Sequence, residues 1–207
     1  MKKDNIDVLN LEWTSYPSRD RNVATLVNNY LRLCGLRVSC GSVFEGFHLI
    51  DVLKPKLLFI TNATGALINY QLVKYAKIKG IKVLTLVSEG NFQESNIEQF
   101  VWGWNYERMM YEDYNIQWSN RTREMSISHY PYLESKIKVS GSVGLDAYNI
   151  FPKIQKSDFL IKHNKSKYSK VIGVGCWDFG ILYPSDPRYI LFQNIFSDSD
   201  IARFKED

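Results

Sequence analysis

At 207 residues, with 45 % hydrophobic and 23 % charged residues, the chain has globular proportions. These argue against disordered, collagen-like and coiled-coil classes and leave enough length for a core without staples. A net charge of +4 with no block of five or six Lys or Arg gives no footprint for nucleic acid. Three cysteines without CxxC spacing form no disulfide framework and fit a reducing compartment.

The elements follow in chain order. Ile6–Leu11 reads as a first strand, rich in branched residues. Ser18 then caps a helix with apolar positions at Val23, Leu26, Val27, Tyr30, Leu31 and Cys34, which Gly35 terminates in a left-handed conformation. Leu36–Cys40 is a second strand, and 43–53 a helix that stops before Pro55. Lys56–Thr61 is a third strand, Ala66–Lys79 a helix ended by Gly80, and Ile81–Ser88 a fourth strand. Phe100–Trp104 alternates like a fifth strand, with helices expected near Tyr106–Tyr114 and Asn120–Leu133 and a sixth strand at Lys136–Val139. Strand–helix alternation every 25–30 residues or so predicts a parallel, doubly wound α/β sheet of Rossmann-like type.

This α/β unit is expected to span residues 1–150. Residues 151–170 read as a polar, lysine-rich linker with a short helix, and 171–207 as the opening of a second, incomplete Rossmann-like domain that cannot bury a core alone. No apolar run reaches the length of a membrane span, and Met1-Lys2-Lys3 is not followed by a signal-like apolar stretch. A cytoplasmic location is expected, with weak attraction to an anionic membrane face.

Open α/β sheets bind ligands beyond the carboxyl ends of their strands, so the residues there are the candidates. Glu12, Trp13, Arg19 and Asp20 follow the first strand, and Asn62, Thr64 and Gly65 the third. Ser88, Glu89, Gly90 and Asn91 follow the fourth. A carboxylate beside a glycine approaches a substrate closely, which makes Glu89 a candidate general base on a sugar hydroxyl. Ser140-Gly141-Ser142-Val143-Gly144 follows the sixth strand. Its amides suit an anion, although a tight interdomain turn fits it equally. Arg19 at a helix start suits a phosphate or a carboxylated sugar. His48, His129 and His163 lack ligand spacing, and no metal site is expected.

Pro17-Ser-Arg-Asp20, Leu84-Thr-Leu-Val-Ser-Glu-Gly90, Phe100-Val-Trp-Gly-Trp104 and Lys138-Val-Ser-Gly-Ser-Val-Gly-Leu-Asp146, in that order, carry a resemblance. They resemble the N-terminal half of bacterial surface-carbohydrate (capsule or O-antigen) biosynthesis proteins with a GT-B-like glycosyltransferase fold. In those families the last segment often reads V-T-G-N-P-x-x-D; Ser140, Ser142 and Val143 stand here in place of Thr, Asn and Pro.

The resemblance implies an acceptor-side domain, inactive alone, with catalysis in a cleft shared with a donor-binding domain. Glu89 would be the catalytic base. Arg19, Asn62, Thr64, Ser88, Gly90, Asn91, Ser140, Gly141 and Ser142 would contact substrate. The partners implied are a saccharide acceptor, a nucleotide-sugar donor where a second domain is supplied, the inner membrane face, and a chain completing the fold. No cofactor is implied. A sugar-nucleotide epimerase-like half and a non-catalytic sugar- or partner-binding domain stay open beside it. A receiver domain is disfavoured, because Thr61-Asn62-Ala63-Thr64 offers no phospho-accepting Asp.

Overall fold

The computed structural model describes residues 6–13, 19–87, 92–150, 152–168 and 170–172, without the side chains of Arg19 and 147–150. The chain divides into two units, 1–153 and 154–207. In the first, six parallel strands form one sheet: β1 (Val8–Glu12), β2 (Val38–Ser42), β3 (Leu57–Thr61), β4 (Lys82–Leu86), β5 (Tyr114–Gln117) and β6 (Ile137–Val139). Their order is β2-β1-β3-β4-β5-β6. This is a Rossmann-like doubly wound fold, whose winding direction reverses between β1 and β3.

The helices of this unit are α1 (Arg19–Leu33), α2 (Gly46–Leu53), α3 (Leu67–Ile78), α4 (Ile97–Trp102), α5 (Asn120–His129) and α6 (Val143–Ile150). Parallel strands bury both faces, so successive side chains feed two cores. Leu9, Leu11, Leu58, Ile60 and Val83 join Ile50, Leu72, Val73 and Ala76 under α2 and α3. Val8, Phe59 and Leu86 join Val23 and Ala24 of α1, with Val143 of α6 alongside. A third cluster gathers Ile97, Val101 and Trp102 of α4 with Met110, Leu133 and Ile137. Gly35 has φ +83°, so the left-handed stop predicted for α1 is the one observed.

Two expected elements are different. Phe100–Trp104 is not a strand: Phe100–Trp102 close α4, which buries Ile97, Val101 and Trp102 at one-turn spacing, and the chain then turns at Gly103. The alternation of aromatics came from a helix end running into a turn. No helix covers Tyr106–Tyr114 either. There Asn105 Nδ2 donates to the Met109 carbonyl (2.9 Å), and Lys74 pairs with Glu107 (2.5 Å). Asp113 takes Lys77 (2.6 Å) and the Val83 amide (2.8 Å). These bonds tie the segment to α3 and β4 and deliver it into β5 as an extended chain.

Of the turn expected at Ser140–Gly144, Ser140–Ser142 leave β6 and Val143–Gly144 already open α6, which packs on α1. In the second unit α7 (Lys156–Lys162) is the short helix expected within the linker stretch, and Val171 and Ile172 carry no strand assignment. The remainder of the strand expected at Val171–Gly175 lies outside the described residues. Among the described residues, no helix is long and apolar enough to cross a membrane, and no group of His, Cys, Asp or Glu is arranged to hold a metal ion.

Candidate functional site

A cleft of about 520 Å³ opens at the carboxyl ends of β3, β4 and β5. Its floor is strand residues on the face away from α1: Thr85 from β4, and Asn115 and Gln117 from β5. One wall is the loop after β3, Asn62–Gly65. The other is α4 and its flanks, with Phe92, Asn96, Gln99, Phe100, Gly103 and Trp104. Tyr106 and Met110 complete it.

The walls are pinned together at one point. The Trp104 amide donates to the Thr64 carbonyl (2.9 Å), and Gly103 lies flat against it. A Cβ at Gly103 would sit 2.4 Å from that oxygen, and φ +46° with ψ −114° suits only glycine. Asn62 also has positive φ (48°). Its carbonyl accepts from Asn69 Nδ2 (3.1 Å) and the Gly65 amide (3.0 Å), which shapes the loop into a compact turn. Trp118 Nε1 donates to the Val87 carbonyl (2.6 Å) and anchors the exit of β4.

None of the described lining residues is charged at neutral pH. The polar groups are amides and hydroxyls. Gln117 is 2 % exposed, donates from Nε2 to Ser126 Oγ (3.1 Å), and has a buried Oε1 with no hydrogen-bond partner. Asn115 donates from Nδ2 to Thr85 Oγ1 (3.2 Å) and Glu112 Oε1 (3.3 Å), and its buried Oδ1 is likewise unpartnered. Aromatic rings supply the apolar surface. Phe92 and Phe100 stack at 4.1 Å, and Trp104 meets Tyr106 edge-on at 6.2 Å, both of the latter exposed. The lining thus sets hydrogen-bonding amides beside exposed aromatic faces.

A second polar cluster sits at the winding reversal, on the α1 face. Glu12, at the end of β1, is 6 % exposed. Thr61 Oγ1 donates to its Oε2 (2.5 Å), while the Thr61 amide (3.2 Å) and Asn10 Nδ2 (3.0 Å) donate to Oε1. Asn10 in turn accepts from Asn28 of α1 (2.8 Å). Burial pushes the Glu12 carboxyl up to about 7, opposed by these hydrogen bonds, with Asp20 adding a smaller push upward. Glu112, behind Asn115, is also raised by burial.

Of the residues expected at a site, Asn62 and Thr64 line the cleft. Ser140, Gly141 and Ser142 do not; they lie at the end of the edge strand β6, where the Ser140 amide donates to the Gln117 carbonyl (3.1 Å). Arg19 opens α1, and its side chain is outside the described set, as are Ser88, Glu89, Gly90 and Asn91. Asn115 and Gln117 are not among the expected site residues, because β5 falls where no strand is expected. The signal was there: Asn115 and Gln117 alternate with Ile116, as a strand with one polar side requires.

No protein-family model matches this chain, and no curated protein is detectably similar to it in sequence.

Proposed function

We propose that the chain is the acceptor-side half of a GT-B-like glycosyltransferase of surface-polysaccharide assembly, and that the cleft over β3–β5 receives the saccharide acceptor. The observation that carries this reading is the lining: uncharged, with five amide side chains beside Phe92, Phe100, Trp104 and Tyr106 at the carboxyl edge of the sheet. Sugars present hydroxyls at their equator and apolar C–H faces above and below, and this lining offers counterparts to both. The sequence resemblance supplies the reaction class, and its warrant is analogy of fold.

In this reading Glu89 is the general base. Val87 and Phe92, which bracket the 88–91 segment, both line the cleft. Transfer needs a donor-binding domain to bring the nucleotide-sugar alongside, because proximity supplies much of the rate. A non-catalytic saccharide-binding domain is the second reading. It is favoured by the lack of any described lining group that is charged at neutral pH.

Trp104 stands at the rim, 47 % exposed, and reports on occupancy. Neutral oligosaccharides are expected to change its fluorescence saturably, and Trp104→Ala to weaken their binding about tenfold, in line with one stacked ring. Saccharide binding unaffected by Trp104→Ala would contradict the placement. With a donor domain supplied, Glu89→Gln separates the two readings: lost turnover with retained binding supports the transferase, whereas a chain that binds saccharide and never transfers supports the binding domain.

A further inference from the structure

We propose, resting on that saccharide reading, that the cleft selects an uncharged ligand able to donate hydrogen bonds, with Asn115 and Gln117 as the specificity-determining residues. The orientation of each amide follows from its partners. Ser126 Oγ gives its own proton to the Thr122 carbonyl (2.9 Å), so towards Gln117 it can only accept, and Gln117 must present Nε2 to it. Asn115 presents Nδ2 to Thr85 and to the Glu112 carboxyl, the arrangement that an ionised Glu112 requires. The oxygens of both amides are thereby left over, buried and unpartnered, on side chains that line the cleft.

A buried carbonyl oxygen without a donor is costly; Asn28, Asn69 and Asn105 carry others, and those of Asn115 and Gln117 are set apart by belonging to side chains that line the cleft. A ligand hydroxyl or N–H donates to such an oxygen. A carboxylate or phosphate offers only lone pairs and is repelled. No described lining residue supplies a cation to offset an anion's lost hydration, and the group behind Asn115 is itself a carboxyl. A site built to hydrogen-bond a hydroxyl rejects analogues that leave its buried groups unpaired. A neutral hexose and a neutral nucleoside share the required chemistry, and the test separates them.

The test is calorimetric titration of the whole chain with four probes: maltotriose, the same trisaccharide ending in glucuronic acid, uridine, and uridine 5′-monophosphate. The expected result is maltotriose bound at least about tenfold tighter than its glucuronate-ended counterpart. Gln117→Leu and Asn115→Leu are each expected to weaken maltotriose about tenfold and to narrow that ratio. The ratio in the unaltered chain decides the matter even where a variant fails to fold. Equal affinity for the charged trisaccharide overturns the selectivity and leaves saccharide binding intact. Uridine bound over its monophosphate, with neither trisaccharide bound, supports the selectivity and overturns the saccharide reading. Binding of none of the four overturns both.

Discussion

At the end of β1, the Glu12 carboxyl is closed in by three hydrogen bonds beneath α1. On β5, on the opposite face of the same sheet, Asn115 and Gln117 keep amide oxygens unpartnered beside a 520 Å³ cleft. Both places are polar and both lie at the carboxyl edge, where this fold binds ligands. The difference teaches how to separate a brace from a binding surface. The Glu12 carboxyl spends its hydrogen-bonding capacity on β1 and β3, the two strands on which the winding reverses. In the cleft the two unpartnered oxygens belong to side chains that line an open volume, whereas the one left in the Glu12 network, Asn28 Oδ1, does not line it.

The largest expected effect attacks the cleft wall. Gly103→Ala puts a Cβ 2.4 Å from the Thr64 carbonyl at a backbone angle that disfavours any side chain. Unfolding in urea is expected to show a loss of about 2–4 kcal/mol, with weakened saccharide binding. A Gly103→Ala protein of unchanged stability would mean that the Thr64–Trp104 clasp is not what holds the wall.

Next comes the brace. Because the folded-state value of Glu12 is raised from 4.5 to about 7, the folded chain holds a proton there that the unfolded chain has lost. Its contribution to stability is therefore full below about pH 4.5, declines as pH rises to about 7, and is gone above that. At about 1.4 kcal/mol for each pH unit between the two values, the loss is about 3 kcal/mol. Glu112 is displaced in the same direction, so Glu12→Gln is the control. The difference in unfolding free energy between parent and variant should change by that amount between pH 4.5 and 8, in favour of the variant at high pH. A difference that is flat with pH would show Glu12 to be solvated rather than enclosed.

Gln117→Leu sharpens the comparison from the other side. It removes the amide bond to Ser126 but also an oxygen that had no partner, so stability should stay within about 1 kcal/mol of the parent while binding falls. A comparably sized change that costs several kcal/mol would move Gln117 from binding surface to brace. The smallest expected effect is that of Ser140→Ala. Its residue lies at the edge strand rather than in the cleft, and saccharide affinity should change by less than about twofold in calorimetry.

Strands β1 to β4 and helices α1 to α3 were legible because their signals are local: branched apolar runs, helical spacing, and Gly35 and Gly80 as stops. The sequence from Phe100 to Gln117 was not. Its shape depends on partners 30 or so residues away, such as Lys77 and Val83 on Asp113, which no local pattern announces. The site divided in the same way. Asn62 and Thr64 could be named because they follow a strand that was correctly placed. Asn115 and Gln117 sit within one that was not, and their role emerges only when the packing leaves their oxygens unpaired. Glu12 was seen as a strand-end acid, but its enclosure comes from Thr61, 49 residues on.

On the proposed reading, the cleft over β3–β5 binds a neutral saccharide through Asn115, Gln117 and Trp104. The most direct test of that reading is a titration of the isotopically labelled chain with a neutral oligosaccharide, followed by nuclear magnetic resonance of the side-chain amides and indoles. Saturable shifts of the Asn115 and Gln117 amides and the Trp104 indole are expected, with Asn10 and Asn28 of the Glu12 network unmoved. Shifts confined to the Glu12 network or to Ser140–Ser142, with the cleft amides silent, would contradict it.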